Sequence, residues 1–584
     1  MPPVGAGDRS QLSRRAFVAG GAAAGLALLT PLGRVDAATA QTMGATNVPP
    51  DFPAGIALYQ QTYQNWAQQI TVDGLWTCAP KSADEVVAIA NWAATHGYRI
   101  RARGMMHGWS PLTVTPATTN ADRIVLLDTT EHLVGAQIVS NSPAAVRVQA
   151  GTTMDTLLEF LQQHGLGVTA APAPGDITIG GALAIDAHGT AIRATNEDPL
   201  PGHTYGSLSN LIVSLTAVVW NPSKHRYQLR RFDRSETDTK AFLVHLGRTF
   251  VTEVELRVGA NVNLRCQSYT NIPVSQLFAK PGTGAGNTFA SFLDQAGRVE
   301  AIWYPFTTEP WLKVWSVSPH QPAGSTKVSS PYNYIFSDEI PVEVSELATR
   351  IINGEPAATP TYGEAQYSVS VAGLLATNTN DIWGPSKDTL LYIKPTTIRE
   401  TANGYTVQMN RANVQRAVSE FSTFFTSLVA SFTAKSQYPI NMPVEIRVTG
   451  RDEPADVAVK GASAPVLSAL HPRTDHPDWD VSVWFDVLTF PLTPHSITFY
   501  RQLEQWFFSN FRSYGSVRNE WSKGWAYSSQ AAWSDSTVLH KTIPGIYRTA
   551  RNAHNNWDWA LATYNRYDPH RIFTDAFHDV LMPK

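Results

Sequence analysis

Arg99-Ile100-Arg101-Ala102-Arg103-Gly104-Met105-Met106-His107-Gly108-Trp109-Ser110 is the stretch on which the fold turns. Arg99 to Arg103 reads as a strand, and glycines punctuate the residues after it. Glycine lets main-chain N–H groups converge on a phosphate, so Gly104 and Gly108 suit a phosphate-binding loop, to which Ser110 adds a hydroxyl donor. A histidine inside such a loop, His107, is placed against whatever the loop binds. Taken alone, the same residues better suit an ordinary turn with a satisfied histidine.

The flanks are those of an α+β chain. Upstream, Ser82-Ala83-Asp84-Glu85 caps a helical run in which Val86, Val87, Ile89, Ala90 and Ala93 share one face, and Gly97 ends it. Downstream, the pattern predicts strands at Ile124 to Leu127 and Val146 to Ala150, and a helix from Met154 to His164 closed by Gly165. A Gly/Pro/Ala-rich loop from Ala170 to Gly189 comes next, then strands near Leu211 to Trp220 and Val251 to Val258. That loop holds a second ligand candidate, Ala173-Pro174-Gly175-Asp176-Ile177-Thr178-Ile179-Gly180-Gly181, followed by His188-Gly189.

Residues 261–535 differ in character. Strand-like stretches at Val299 to Tyr304, Thr389 to Ile393, Val444 to Val448 and Val481 to Phe485 sit among helices and long loops, divided by a helix from Asn413 to Phe432. They read as a second domain, a sheet with helices on one side. The last segment, 536–584, is helical near Asn552 to Tyr564 and carries Tyr567-Asp568-Pro569.

The 584 residues are 43% hydrophobic and 16% charged, with a net charge of -3, a globular composition without the basic block that nucleic acid requires. Two cysteines, Cys78 and Cys266, make no disulfide scaffold and no zinc site; two buried thiols are the default, one bridge the alternative. Residues 1–40 read as a leader: Arg14-Arg15 precede a short Gly/Ala-rich apolar run and then Ala37, Ala38 and Ala40, the pattern of twin-arginine export to the periplasm or exterior. Gly282-Thr283-Gly284-Ala285-Gly286 imitates a dinucleotide fingerprint, but it follows Lys280-Pro281 and not a strand.

Together the two loops resemble the vanillyl-alcohol oxidase family of FAD enzymes in order and spacing. The likeness includes Val148-Gln149-Ala150-Gly151, Thr178-Ile179-Gly180-Gly181, His188-Gly189, Gly206 to Val219, Leu246 to Val254, Trp521-Ser522-Lys523-Gly524 and Tyr567-Asp568-Pro569. It implies a two-domain fold: an FAD-binding domain (41–260, completed by 536–584) and an inserted cap domain (261–535) on a mixed sheet over the isoalloxazine. Met105-Met106, where the family more often has two glycines, resembles the bacterial class II cholesterol oxidases, which link FAD covalently through the histidine that His107 matches. The resemblance further implies flavin contacts from Arg103, Gly104, Met105, Met106, Gly108, Trp109, Ser110, Asp176, Thr178, Ile179, Gly180, Gly181, His188, Gly189, Val251 and Lys523.

In the cap, Glu445-Ile446-Arg447 puts two charges on one strand face, and Glu300 and Asp486 lie on comparable apolar strands. Charges there are costly unless paired. The resemblance implies that Glu445 and Arg447 are catalytic and stand over the flavin with a second carboxylate, for which Glu300 is the candidate; Asp486 is a further one. It implies oxidation of 3β-hydroxysterols such as cholesterol to the 3-ketone, Δ5 to Δ4 isomerisation, and O2 reduced to H2O2, by a monomer in transient contact with membranes or lipid particles. A sugar, alditol or aldonolactone oxidase of the same fold is the alternative; it would need a polar cavity, whereas this cap is rich in Trp, Phe and Val.

Overall fold

The computed structural model describes residues 48–334 and 340–584, so the expected export leader lies outside the described residues. The helix predicted after Ser82 spans Ala83–His96; Ser82 accepts a hydrogen bond from Glu85 N–H, and Gly97 ends the helix at φ +68°. It feeds the strand Arg99–Arg103, which pairs in parallel with Ile124–Asp128 in a four-stranded sheet completed by Thr71–Cys78 and Tyr59–Gln64. A second, five-stranded antiparallel sheet runs in the order Ala136–Asn141, Ala144–Gln149, Phe250–Arg257, Ile212–Asn221, Arg226–Asp233.

The segment after 261 builds a nine-stranded sheet in which Arg298–Trp303, Val444–Thr449, Val481–Thr489 and Thr401–Met409 are consecutive neighbours, from the central strand to the one beside the edge. All its pairings are antiparallel except at one edge, where Thr326–Lys327 runs parallel to Asp381–Pro385. The helix Val414–Thr433 lays Val414, Ala417, Val418, Phe421, Phe425, Leu428 and Phe432 onto one face of this sheet, the spacing of a helical stripe. Phe421 packs on Phe485 and Phe425 on Trp303, with ring centroids 4.5 and 5.3 Å apart. Strand alternation then sends Glu445 and Arg447 to the opposite face.

Two local expectations are overturned. Thr389 to Ile393 is not a strand: Ser386–Leu390 is a short helix, begun by Pro385, and the chain then leaves the sheet. The loop from Ala170 to Gly189 is not structureless, because Thr178 caps a helical turn, Ile179–Ala184. Cys78 and Cys266 are both buried free thiols, each pushed up to about 12 by burial.

The tail returns to the first domain through a buried ion pair. Arg248 Nη1 donates to Asp568 Oδ2 at 3.2 Å, with the two side chains 1% and 2% exposed. Asp568 also accepts from Tyr227 OH (2.6 Å), Ile572 N (3.0 Å) and Phe573 N (3.1 Å). Removing one partner of such a pair leaves a bare buried charge and costs about 3–5 kcal/mol. Asp568→Ala should therefore lower the urea midpoint of unfolding markedly; an unchanged midpoint would show that the tail contributes nothing to holding this domain.

Candidate active site

The loop after Arg103 is fixed from both ends of the chain. Trp66 N donates to Met106 O at 2.8 Å, and Asn65 Nδ2 donates to Trp109 O at 3.1 Å. From the far end, Trp109 N donates to Ser522 O at 3.1 Å. Ser110 Oγ donates to Trp521 O at 2.7 Å, so its hydroxyl proton goes to the main chain and not, as expected, to a ligand. Met106 sits at φ +56°, a left-handed turn that presents His107. Arg101, just upstream, is buried and donates to the carbonyls of Thr113 (3.3 Å), Gly247 (2.7 Å), Leu112 and Phe573.

A cavity runs along this loop, past Thr178, Gly180, Gly181, His188 and Val251, to Lys523 and Arg447 of the second domain. The strand before the loop and the helical turn after Thr178 approach so closely that a Cβ on Gly104 would lie 2.3 Å from Thr178 Oγ1. One on Gly180 would lie 2.9 Å from Ala150 Cβ. Of the expected contacts, Ile179 instead enters the hydrophobic core, and Gly189 packs on the main chain of Ala171.

His107 is stacked on Trp66 (centroids 5.1 Å), and Trp66 on Trp109 (5.7 Å). Arg399 lies over Trp66 and Lys523 over Trp109, at 4.9 and 3.9 Å from the ring centroids. Burial, with the charges of Lys523 and Arg399, pushes His107 down to about 3, so its imidazole is neutral. Arg103 Nε, His107 Nε2 and Trp109 Nε1, of residues that line the cavity, are buried without a hydrogen-bond partner, and so is Asp176 Oδ1, of a residue outside that lining. Orphaned polar atoms along a glycine-shaped cradle suit a long, polar, aromatic cofactor such as FAD.

Across the cavity, Arg447 gathers three carboxylates. Its Nη2 bonds Glu445 Oε2 at 2.6 Å and also Asp486 Oδ2, while its Nε is 3.8 Å from Glu300 Oε1. The second carboxylate on the guanidinium is thus Asp486 more directly than Glu300, because Asp486 faces Glu445 in register on the next strand. Glu300 turns to Tyr392, whose OH donates to it at 2.6 Å, with buried Lys313 opposite it in register. Gly404 is cross-strand from Asp486, and its missing side chain admits Lys523: a Cβ there would meet Lys523 Cγ at 2.5 Å and Asp486 Oδ1 at 2.8 Å. Trp484, beside Arg447, stacks on His188 at 3.8 Å and joins the cap to the first domain.

Glu400, Arg399, Trp66, Glu520 and Gly404 went unread in the sequence. No spacing marks them; a charged Arg399-Glu400 pair ahead of a strand was the faintest available cue. Burial and the neighbouring Glu445 push Glu400 up to about 8.

A model of the cholesterol oxidase substrate-binding family matches residues 263–583, and one of the FAD binding domain matches 76–221. The chain belongs to the cholesterol oxidase family. A solved structure described as a solvent-stable cholesterol oxidase is 52% identical, with 92% of this chain and all of that chain covered at a TM-score of 0.90. Cholesterol oxidase from Brevibacterium sterolicum is 45% identical over 93% of this chain and all of its own, again at 0.90. A curated relative, mitochondrial L-galactono-1,4-lactone dehydrogenase 2 of Oryza sativa subsp. japonica, is 25% identical over 215 residues, 37% of this chain and 32% of that protein. This chain therefore matches about a third of the length of that curated relative. The family brings the two-domain vanillyl-alcohol-oxidase-like fold and FAD as cofactor. No helix among the described residues is long and apolar enough to cross a membrane.

Asp486 gives the site a pH limb. Burial and Glu520 raise its carboxyl to about 6 against the pull of Lys523 and Arg447. Above that pH it is ionised and braces Arg447; as pH falls through about 6 it is protonated and the brace is lost. Alcohol oxidation (kcat/KM against pH) should fall below about pH 6, and Asp486→Asn should flatten that limb at a reduced rate. A wild-type profile level down to pH 5 would overturn this role.

Proposed function

We propose that this chain is an exported flavoprotein oxidase that converts 3β-hydroxysterols to 3-ketones, moves the Δ5 double bond to Δ4, and reduces O2 to H2O2. The observation that carries the reading is Arg447, reaching from the cap sheet into the same cavity as His107. The cap behind it is aromatic and apolar, with Ile302, Tyr304, Trp311, Tyr334 and Leu374 in one cluster, which suits a sterol and not a sugar. Bound FAD supplies hydride acceptance and electron delivery to O2.

Glu445 takes the proton of the sterol hydroxyl. Of the three carboxylates on Arg447 it is 20% exposed, whereas Glu300 is 1% and Asp486 0%, so Glu445 is the one open to a ligand. Arg447 stabilises the negative charge that develops on the oxygen. In the isomerisation the Glu445 carboxylate takes a proton from the sterol carbon between the new ketone and the double bond and returns it at the far carbon of that double bond, which moves the double bond into conjugation. Asp486 and Glu300 hold the guanidinium from behind.

In this reading His107 carries FAD covalently, segments 41–260 and 536–584 hold the cofactor, and 261–535 holds the sterol. The protein is exported to the periplasm or exterior by the twin-arginine route, acts as a monomer, and touches membranes or lipid particles only while drawing sterol from them.

Glu445→Gln should bind sterol yet lose turnover by about two to four orders of magnitude, the scale of general-base catalysis, in a peroxide-release assay. Given the Δ5-3-ketone directly, the same variant should fail to isomerise it. Normal isomerisation with lost oxidation would transfer the second role to another acid; near-normal oxidation would remove Glu445 from the mechanism. Peroxide from sugars and not from sterols would replace the substrate assignment.

A further inference from the structure

His107 and Asp176 each bury one polar atom that has no hydrogen-bond partner. His107 Nε2 lies 3.9 Å from Asp176 Oδ1, and neither atom has a hydrogen-bond partner. Such orphaned pairs tighten when the group they serve is in place, and apo distances in working sites are often long.

Asp176 does not reach this position by chance of a loop. On one side of it Gly175 O accepts from Asp155 N at 2.9 Å, and on the other Ile177 O accepts from Met154 N at 2.8 Å. Both donors belong to the first turn of the helix Met154–Gln163. Gly175 packs so tightly there that a Cβ would lie 2.9 Å from Asp155 Cβ. The imidazole is equally fixed, by the stack on Trp66 and the left-handed turn at Met106. Burial raises the Asp176 carboxyl above its ordinary range, and its own backbone and the Arg399 charge oppose that rise.

We propose that Asp176 is a positioning residue for flavin attachment: it accepts the proton of His107 Nε2 and so leaves the lone pair of Nδ1 as the bond-forming atom. A neutral imidazole has one N–H and one lone pair, and whichever nitrogen is tied to a carboxylate becomes the N–H. Joining Nδ1 to a methyl carbon of the flavin ring breaks one C–H bond and, once the new bond is made, the Nε2–H bond, with one C–N bond formed. Two protons and two electrons are released, and O2, the acceptor of the proposed oxidase, takes up both to give H2O2. Asp176 holds the Nε2 proton until it leaves.

This inference rests on the covalent reading of His107, and the test separates the two. Wild type, Asp176→Asn and Asp176→Ala are purified, supplied with excess FAD in air, and sampled into acid over time; the yellow flavin that stays with the precipitate is covalent. Wild type should become fully covalent. Asp176→Ala, compared at FAD concentrations that saturate it, should attach the flavin about 10- to 100-fold more slowly, the scale for losing the group that orients a working histidine. Asp176→Asn keeps an oxygen acceptor of the same shape and should fall between. If Asp176→Ala fails to fold, the comparison of wild type with Asp176→Asn decides alone. Equal attachment rates in variants and wild type would overturn the role of Asp176 while leaving the bond to His107 intact. Flavin released by acid from wild type itself would overturn the covalent reading, and this inference with it.

Discussion

Arg101 is the knot of the first domain. It is a buried guanidinium whose hydrogen bonds go to main-chain carbonyls at Leu112, Thr113, Gly247 and Phe573. Burial lowers it only to about 10, so it remains a cation and each of those carbonyls must stay in place to solvate it. The strand that leads into the His107 loop, the turn at Gly247 and the C-terminal tail are thereby tied at one point. Gly247 has φ +78°, and a Cβ there would lie 2.3 Å from Arg101 Nη2, so the knot also dictates a residue type. The strand that carries the chain into the His107 loop is anchored by this arrangement.

The second domain solves a complementary electrostatic problem. A guanidinium enclosed by protein needs counter-charge, and Arg447 has Glu445, Asp486 and Glu300 around it. Three adjacent strands supply these groups, and their register, Glu300 to Arg447 and Asp486 to Glu445, fixes the cluster more rigidly than loops could. The surplus of negative charge is balanced from outside the cluster, by Lys523 through the gap at Gly404 and by Lys313 amid Trp315, Tyr334 and Tyr392. The other sheet face is a plain aromatic core, so one layer serves both stability and chemistry.

Much of this was legible in the sequence because its signals are local. Ser82 and Gly97 bracket a helix by capping chemistry, and Glu445-Ile446-Arg447 declares its shared face by the period of a strand. The loop at His107 was recognisable by glycine spacing, whereas the direction of the Ser110 hydroxyl was not, because its partner, Trp521 O, is 411 residues away in the chain. What stayed hidden is what folding alone brings together: Asp486 onto Arg447, Trp66 onto His107, Arg399 over Trp66. Thr389 to Ile393 was misread because an apolar run of that length suits a strand or a helix, and Pro385 decided for the helix.

The His107 loop is clasped by Asn65 and Trp66 from near the start of the described chain, and by Trp521, Ser522 and Phe573 from near its end. Its walls are therefore incomplete on any nascent polypeptide, however much of the first 260 residues has emerged from the ribosome. Cofactor capture must wait until Trp521, Ser522 and Phe573 have been made and packed against the loop. In the export proposed above, such a chain would cross the membrane either as a finished holoprotein or without its colour.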